Sequence, residues 1–301
     1  QQVRQIIGKH EQDIFSAATK AYPSIVARGG GLKKIEIRDF AADPAFLSVD
    51  LIIDTKDAMG ANIVNTILEA VAGIFKEYFT ADVLMSILSN YTTEAMIKTT
   101  GSVSFETLGK GDKLKGKQIA QKIVAAAEFA RLDVYRATTH NKGIMNGIEA
   151  VVLATGNDSR AVNSAVHAYA AEGGYHGLSQ WEISDQQLIG TLELPLALAT
   201  AGGATKILPK AAAALAILAV KDARELAEVV AAVGLAQNLA ALRALVTQGI
   251  QKGHMALQAR TLAVNAGARG TEVEKVVEKL QQTQINSANA HHILAQIRQQ
   301  Q

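Results

Sequence analysis

Four short segments concentrate side chains that can do chemistry. Residues 136–147 read RATTHNKGIMNG and hold Arg136, His140, Asn141, Lys142 and Asn146, punctuated by Gly143 and Gly147. A lysine ammonium can hold an oxyanion developing on a carbonyl oxygen. An arginine fork can clamp a carboxylate, and asparagine can orient either. A polar surface loop accounts for the same composition, and the glycines predict a loop or a helix entry. Thr155-Gly156-Asn157-Asp158 comes next. Its plain reading is a helix cap on Asn157 or Asp158. Its chemical reading is a carboxylate beside Lys142 that keeps the lysine charged or shares its proton.

The third segment is Asp57-Ala58-Met59-Gly60-Ala61-Asn62, just before a helical pattern. A helix start offers free N–H groups and a positive dipole end to a pyrophosphate, and Gly60 would let the backbone approach a ligand closely. An ordinary helix capped by Asp57, with a packing glycine, is the plainer reading of the same residues. The dinucleotide fingerprint GxGxxG is absent. The fourth segment, Gly253-His254-Met255, follows a long apolar stretch. A histidine titrates near neutrality and suits a general acid, though a surface or core-edge histidine fits too. His167 and His176 have no carboxylate or second histidine at metal-like spacing, so no metal site is expected.

These segments need a scaffold. Residues 1–20 carry apolar side chains at helical spacing, and the chain starts as though inside a helix. Lys34–Arg38 and Phe46–Thr55 alternate as strands, with Leu47, Val49, Leu51 and Ile53 on one face. Ile63, Ile67, Val71 and Ile74 predict a helix to about Glu77. Val83–Ser89 reads as a third strand and Glu94–Phe105 as a fourth. Residues 109–117 (GKGDKLKGK) form a basic, glycine-rich linker. Its charge admits a phosphate or nucleic-acid role, but the lack of interleaved aromatics favours a solvated loop. Helices are predicted over Lys117–Arg131, Asp158–Ala171 and Pro209 to about Gly249. Leu188–Leu198 is a strand, Gly202–Thr205 a tight turn, and the end from His254 a helical unit broken near Gly267 and Gly270.

The 301 residues are 49% hydrophobic, enough for about two domains with a buried core. A net charge of +2 advertises no nucleic-acid partner. With no cysteine, disulfides, thiolate metal sites and a cysteine nucleophile are excluded. The longest purely apolar run, residues 211–220, is shorter than the roughly 20 residues a bilayer requires. No signal peptide is visible, and the expectation is a soluble, cytoplasmic protein without a membrane partner.

Taken in order, DAMGANIVNT (57–66), THNKGIMNG (139–147), ATGNDSRA (154–161) and GIQKGHMALQAR (249–260) resemble the class II, soluble bacterial 3-hydroxy-3-methylglutaryl-coenzyme A reductases. AYPSIVARGGG (21–31), GGATKILP (202–209) and VGLAQNLAALRAL (233–245) are also similar to that family. Each motif is weak alone, but the ordered set is specific and covers essentially the whole chain.

The resemblance implies reductive deacylation of hydroxymethylglutaryl-CoA to mevalonate and CoA with two nicotinamide hydrides. Some relatives run it in reverse. It implies that Lys142 stabilises the oxyanion, Asp158 tunes Lys142, and His254 protonates the departing CoA thiolate. Arg136 and Asn146 would hold the hydroxymethylglutaryl portion. Asp57, Met59, Gly60 and Asn90 would line the cofactor site, with Tyr22 at the adenosine ribose. The implied fold is α+β: a small ferredoxin-like cofactor domain (1–107), part of a larger helix-rich substrate and dimerisation domain (108–250), and a C-terminal helical flap (251–301). A homodimer or a multiple of dimers is expected.

Two departures from the family pattern matter. The family's catalytic glutamate, in a Glu-Pro-Ser segment upstream of DAMGAN, has no match here. An N-terminal segment is therefore expected either to be truncated or to lie outside these 301 residues. A catalytically incompetent fragment that retains folding or ligand binding is the alternative reading. At the ribose position, where relatives preferring NADH place an acid, this chain has Tyr22 with Lys20 and Arg28 nearby. Basic neighbours welcome a 2′-phosphate, so NADPH is the expected cofactor, with NADH as the alternative.

Overall fold

The structure, a computed structural model, describes residues 2–79, 82–247 and 249–299, with backbone only at 204, 206, 250–254, 256 and 257. It divides into two compact units. One comprises Gln1–Gly101, Phe129–Gln180 and Gly190–Gln237; the other comprises Ser102–Glu128, Trp181–Ile189 and Asn238–Gln301.

The first unit opens with α1 (Gln2–Lys9), α2 (Glu11–Ala21) and α3 (Pro23–Ala27), then β1 (Gly31–Asp39), β2 (Leu47–Asp54) and α4 (Ala61–Tyr78). β1 and β2 pair antiparallel, Ile35 facing Leu51 and Ile37 facing Val49. A register shift between Leu32 and Lys34 inserts an extra residue. The bulge lets Leu32 join the apolar face despite its odd spacing from Ile35. That face packs on Ile14 of α2, Ile25 of α3 and Ile63, Ile67 and Val71 of α4, the last three being side chains whose helical spacing marks α4 in the sequence.

The segment after α4 corrects one expectation. Residues 83–89, expected as a strand, are rich in apolar side chains but pair with no strand among the described residues. Leu84, Met85 and Ile87 are exposed, and Leu88 N–H donates to the Asn65 side chain at 2.9 Å. An apolar run is not enough to make a strand, because a ladder also needs a neighbouring edge.

β3 (Met96–Ser104), α5 (Phe105–Leu108), α6 (Lys113–Leu132), α7 (Val134–Ala154) and α8 (Ser159–Ala170) follow. Residues 136–147, expected as a loop or helix entry, lie wholly inside α7. Asp133 caps it, accepting from Arg136 N–H at 2.7 Å, and Ala137, Ile144, Met145, Ile148 and Val152 are buried. Gly147 has a packing reason within this helix. A Cβ there would stand 3.1 Å from the Val233 carbonyl and 3.0 Å from Gln237 Cβ.

Next come β4 (Ser179–Ser184), β5 (Gln187–Pro195), α9 (Ala204–Ile207), α10 (Pro209–Leu218) and α11 (Ala223–Val246). The second sheet has the order β3-β5-β4. The single helix expected over 209–249 is two helices. Ala219 leaves α10 at φ 53°, and Asp222 restarts the chain by accepting from Glu225 N–H at 2.8 Å. Among the described residues α11 is long and apolar enough to cross a membrane. Here Leu226, Val230, Ala231 and Leu242 along it are buried in the protein.

In the second unit, Asp185 and Gln186 join β4 to β5 with φ 48° and 62°. Two left-handed residues make the primed turn that matches strand twist. Trp181 Nε1 donates to the buried Asn238 side chain at 2.8 Å. The chain ends in α12 (Ile250–Asn265), α13 (Thr271–Leu280) and α14 (Ser287–Gln299), packed through Ala259, Ala263, Val276, Leu280, Ile293 and Leu294. Breaks near Gly267 and Gly270 fall where the sequence places them.

Candidate active site

The arrangement begins on α7. His140 is 2% exposed, with Nε2 2.7 Å from Ser179 Oγ. Asn141 is fully buried and uses both ends of its amide, donating to His176 O at 2.8 Å and accepting from Leu178 N–H at 3.0 Å. These bonds pin α7 against the 176–179 segment. Successive helical residues are about 100° apart, so burying 140 and 141 turns Lys142 outward, where it is exposed. Asn146, four residues on, lies on the same side and is also exposed.

Arg136 occupies the first turn of α7 and is half-buried. Burial pulls its guanidinium below the usual arginine value. His140 is pulled down to about 4, first by burial and then by the positive charge of Arg136. The imidazole is therefore neutral around pH 7, and it is a packing group, not the polar surface residue its setting suggested.

The TGND segment forms the turn between α7 and α8. Asp158 Oδ1 accepts from Arg160 N–H at 3.0 Å and Ala161 N–H at 3.1 Å, the plain capping reading of this aspartate. No hydrogen bond or ion pair joins Asp158 to Lys142 among the described residues. Asn157 does something the sequence did not reveal. Its side chain donates to Ala199 O at 3.1 Å and to Thr155 Oγ1 at 3.0 Å, and accepts from Ala199 N–H at 2.7 Å.

The DAMG turn meets the same stretch of chain. Asp57 O accepts from Thr200 N–H and Ala201 N–H, both at 3.0 Å. Its carboxylate does not cap α4, as expected, but accepts from Ala223 N–H at the start of α11 at 3.1 Å. The N-cap of α4 is Gly60, at φ 85°, without a side-chain hydrogen bond. A Cβ on Gly60 would stand 2.2 Å from Thr55 Cγ2. The glycine thus serves both the left-handed turn and a close approach. Among the described residues no acid lies in the first turn of α4 and no side chain caps it, and an anionic phosphate fits such an end.

Met59 is half-buried beside Gly60. Tyr22 lies between α2 and α3, partly buried against the first unit's core, while Lys20 and Arg28 are exposed. Asn90 is exposed in a bend. Its neighbour Tyr91 donates its hydroxyl to Glu172 at 2.8 Å. His254 lies on α12, and its side chain is outside the described residues. Among the described residues no group of three His, Asp or Glu side chains is placed to hold a metal.

Hydrogen bonds thus tie the DAMG and TGND turns to residues 199–201, while Arg136, Lys142 and Asn146 share α7. Sequence reasoning missed Asn141 and Ser179 as anchors. Asn141 lies inside the motif it serves, but Ser179 carries no local signal.

The hydroxymethylglutaryl-coenzyme A reductase family model matches residues 1–259. The 3-hydroxy-3-methylglutaryl-coenzyme A reductase of Archaeoglobus fulgidus is 46% identical over 272 residues, covering 90% of this chain and 61% of that protein. A probable 3-hydroxy-3-methylglutaryl-coenzyme A reductase of Borreliella burgdorferi is 38% identical over 76% of this chain and 53% of its own length. The chain therefore spans between half and two thirds of these curated relatives. The class II reductase of Streptococcus pneumoniae, solved with NADPH in open conformations, is 43% identical with a TM-score of 0.78, over 98% of this chain and 72% of that one. With a family match over most of its residues, an ordered motif set and a shared fold, the chain belongs to the hydroxymethylglutaryl-coenzyme A reductase family.

Proposed function

We propose that this chain acts in the reductive deacylation of 3-hydroxy-3-methylglutaryl-CoA to mevalonate and CoA, within the mevalonate route to isoprenoids. The observation that carries the reading is the outward presentation of Lys142 by a helix whose preceding two residues are buried and hydrogen-bonded. A rigidly placed ammonium is what an oxyanion on a thioester or aldehyde carbon needs. Arg136 takes the substrate's free carboxylate and Asn146 orients its hydroxyl end. Asp158 keeps Oδ1 for its own helix and offers Oδ2 to the lysine's proton. His254, on α12, protonates the departing thiolate.

NADPH supplies hydride when bound. The uncapped start of α4, Met59 and Gly60 would hold its phosphates and neighbouring ring, Asn90 its nicotinamide end, and Tyr22 with Lys20 and Arg28 its 2′-phosphate side. Asp57 shapes this turn from behind. Division into a cofactor domain (1–107), a substrate domain (108–250) and a flap (251–301), assembly as a homodimer or a multiple of it, and a cytoplasmic location belong to the same proposal. Lys142→Ala should abolish NADPH oxidation with hydroxymethylglutaryl-CoA while the variant melts like the parent. Undiminished oxidation by that variant removes the reading.

A further inference from the structure

A cavity of about 470 Å³ opens in the second unit between the start of α6 and the end of α11. Its lining includes Lys110, Lys115, Lys122 and Arg243, with Gln118 and Thr247 as further polar groups, and no carboxylate among the described residues. None of these residues takes part in the proposed reductase chemistry.

The placement follows from the local fold. Lys115, Gln118 and Lys122 are three and four residues apart on α6, so they share one helix face. The corner before them is backbone packed on backbone. A Cβ on Gly109 would stand 2.0 Å from the Asp112 carbonyl, and one on Gly116 1.8 Å from the Phe105 carbonyl. Lys110 is held in the turn at φ 57°, a left-handed conformation that non-glycine residues rarely adopt. Arg243 is half-buried and donates to the Leu108 carbonyl at 3.4 Å, which fixes its guanidinium in the wall. Two acids lie beside the lining without being part of it: Asp112 accepts from Lys115 N–H at 3.0 Å, and Glu106 lies 3.9 Å from Lys113, so four cations face the cavity with one carboxylate turned to the helix start next to them.

Four like charges around one cavity repel, and a bound polyanion reverses the sign of that cost. The volume suits a small ligand. Among the described residues no aromatic ring lines the cavity, so they offer no platform on which a nucleobase would stack. We propose that this cavity binds a compact polyphosphate anion, of diphosphate to triphosphate size, through Lys110, Lys115, Lys122 and Arg243.

The test is calorimetric titration of the whole chain with inorganic tripolyphosphate at low salt. Lys115→Gln with Lys122→Gln should weaken binding about tenfold or more, as expected for two lost charge-assisted contacts. Lys275→Gln with Lys279→Gln removes the same charge from an exposed face of α13 and should change binding by less than about twofold. If the first double variant melts early, Lys122→Gln alone repeats the comparison on an exposed helix position. Displacement of tripolyphosphate by CoA would identify CoA phosphates as the source. Its absence would identify a free polyphosphate. No binding to the parent chain, equal losses in both double variants, or tighter binding of a single-stranded oligonucleotide than of tripolyphosphate would overturn the proposal.

Discussion

Asn157 and Ala199 exchange two hydrogen bonds, Ala199 N–H to Oδ1 at 2.7 Å and Nδ2–H to Ala199 O at 3.1 Å. One side chain thereby closes the backbone of a distant segment as a strand partner would. Asn157→Ala leaves both Ala199 groups without that partner and should destabilise the first unit by about 1–3 kcal/mol. Asn157→Asp keeps the acceptor and should cost less. Urea unfolding of the three proteins checks the order, and equal midpoints would contradict it.

His140 makes stability depend on pH. Its folded value of about 4 lies below the ordinary 6.5, so between these values the unfolded chain binds more protons. The contribution is therefore fully present above about pH 6.5 and is lost as pH falls towards 4. The loss totals about 3 kcal/mol. His140→Gln should flatten this slope. Denaturant midpoints collected across the same pH range would show it, and an unchanged slope would count against a buried neutral imidazole.

Gly60→Ala should destabilise the DAMG turn by more than about 1 kcal/mol, since it combines a positive φ with a Cβ against Thr55. Thr55→Ser removes Cγ2 but keeps the hydroxyl that donates to Ala58 O at 2.8 Å. In the double variant part of the loss should return. NADPH affinity should follow the same order, measured by fluorescence titration. A double variant no better than Gly60→Ala would show that relieving the Cγ2 contact is not enough, with Cβ and the hydroxyl of residue 55 still at 2.6 and 2.9 Å.

The C-terminal helices are clasped by Arg298. It donates to Glu272 through Nε at 2.9 Å and a terminal nitrogen at 3.0 Å, and reaches Gly267 O at 3.0 Å. The Arg298 hydrogen bond, then that from Arg269 N–H, lowers the Glu272 carboxyl to about 2. The clasp is thus present above the ordinary 4.5 and is lost as pH falls through 2. Arg298→Gln should speed amide exchange in α14 at neutral pH and make it less sensitive to acid. Exchange unchanged from the parent would remove Arg298 from this role.

Elements with a strong local period are legible in the amino-acid sequence itself. The β1–β2 hairpin and α4 declare themselves through residues such as Leu51 and Ile67, whose spacing fixes the buried face. What stays hidden depends on distant chain. Gly143 and Gly147 suggest a loop, yet α7 passes through them because close approach to α11 requires a missing side chain at 147. Residues 83–89 carry a strand's apolar composition without a strand partner among the described residues. Asp185-Gln186 contains no glycine to announce a hairpin, although both residues are left-handed. In the candidate site, Lys142 is legible from its motif, while the anchors His176, Leu178 and Ser179 that orient it are not. Asp57 looks like a cap for the helix that follows it and serves one much further along.

The continuity of α7 gives residues 134–141 a counting function. Each residue advances the helix by about 100°. Deleting one residue from that stretch would leave composition and charge almost untouched, yet it would swing the ammonium of Lys142 towards the interior or carry the buried amide of Asn141 into solvent. Point substitutions before Lys142 can be mild where a single deletion is not, because the segment works as a ruler for angle and tolerates changes of letter far better than changes of length.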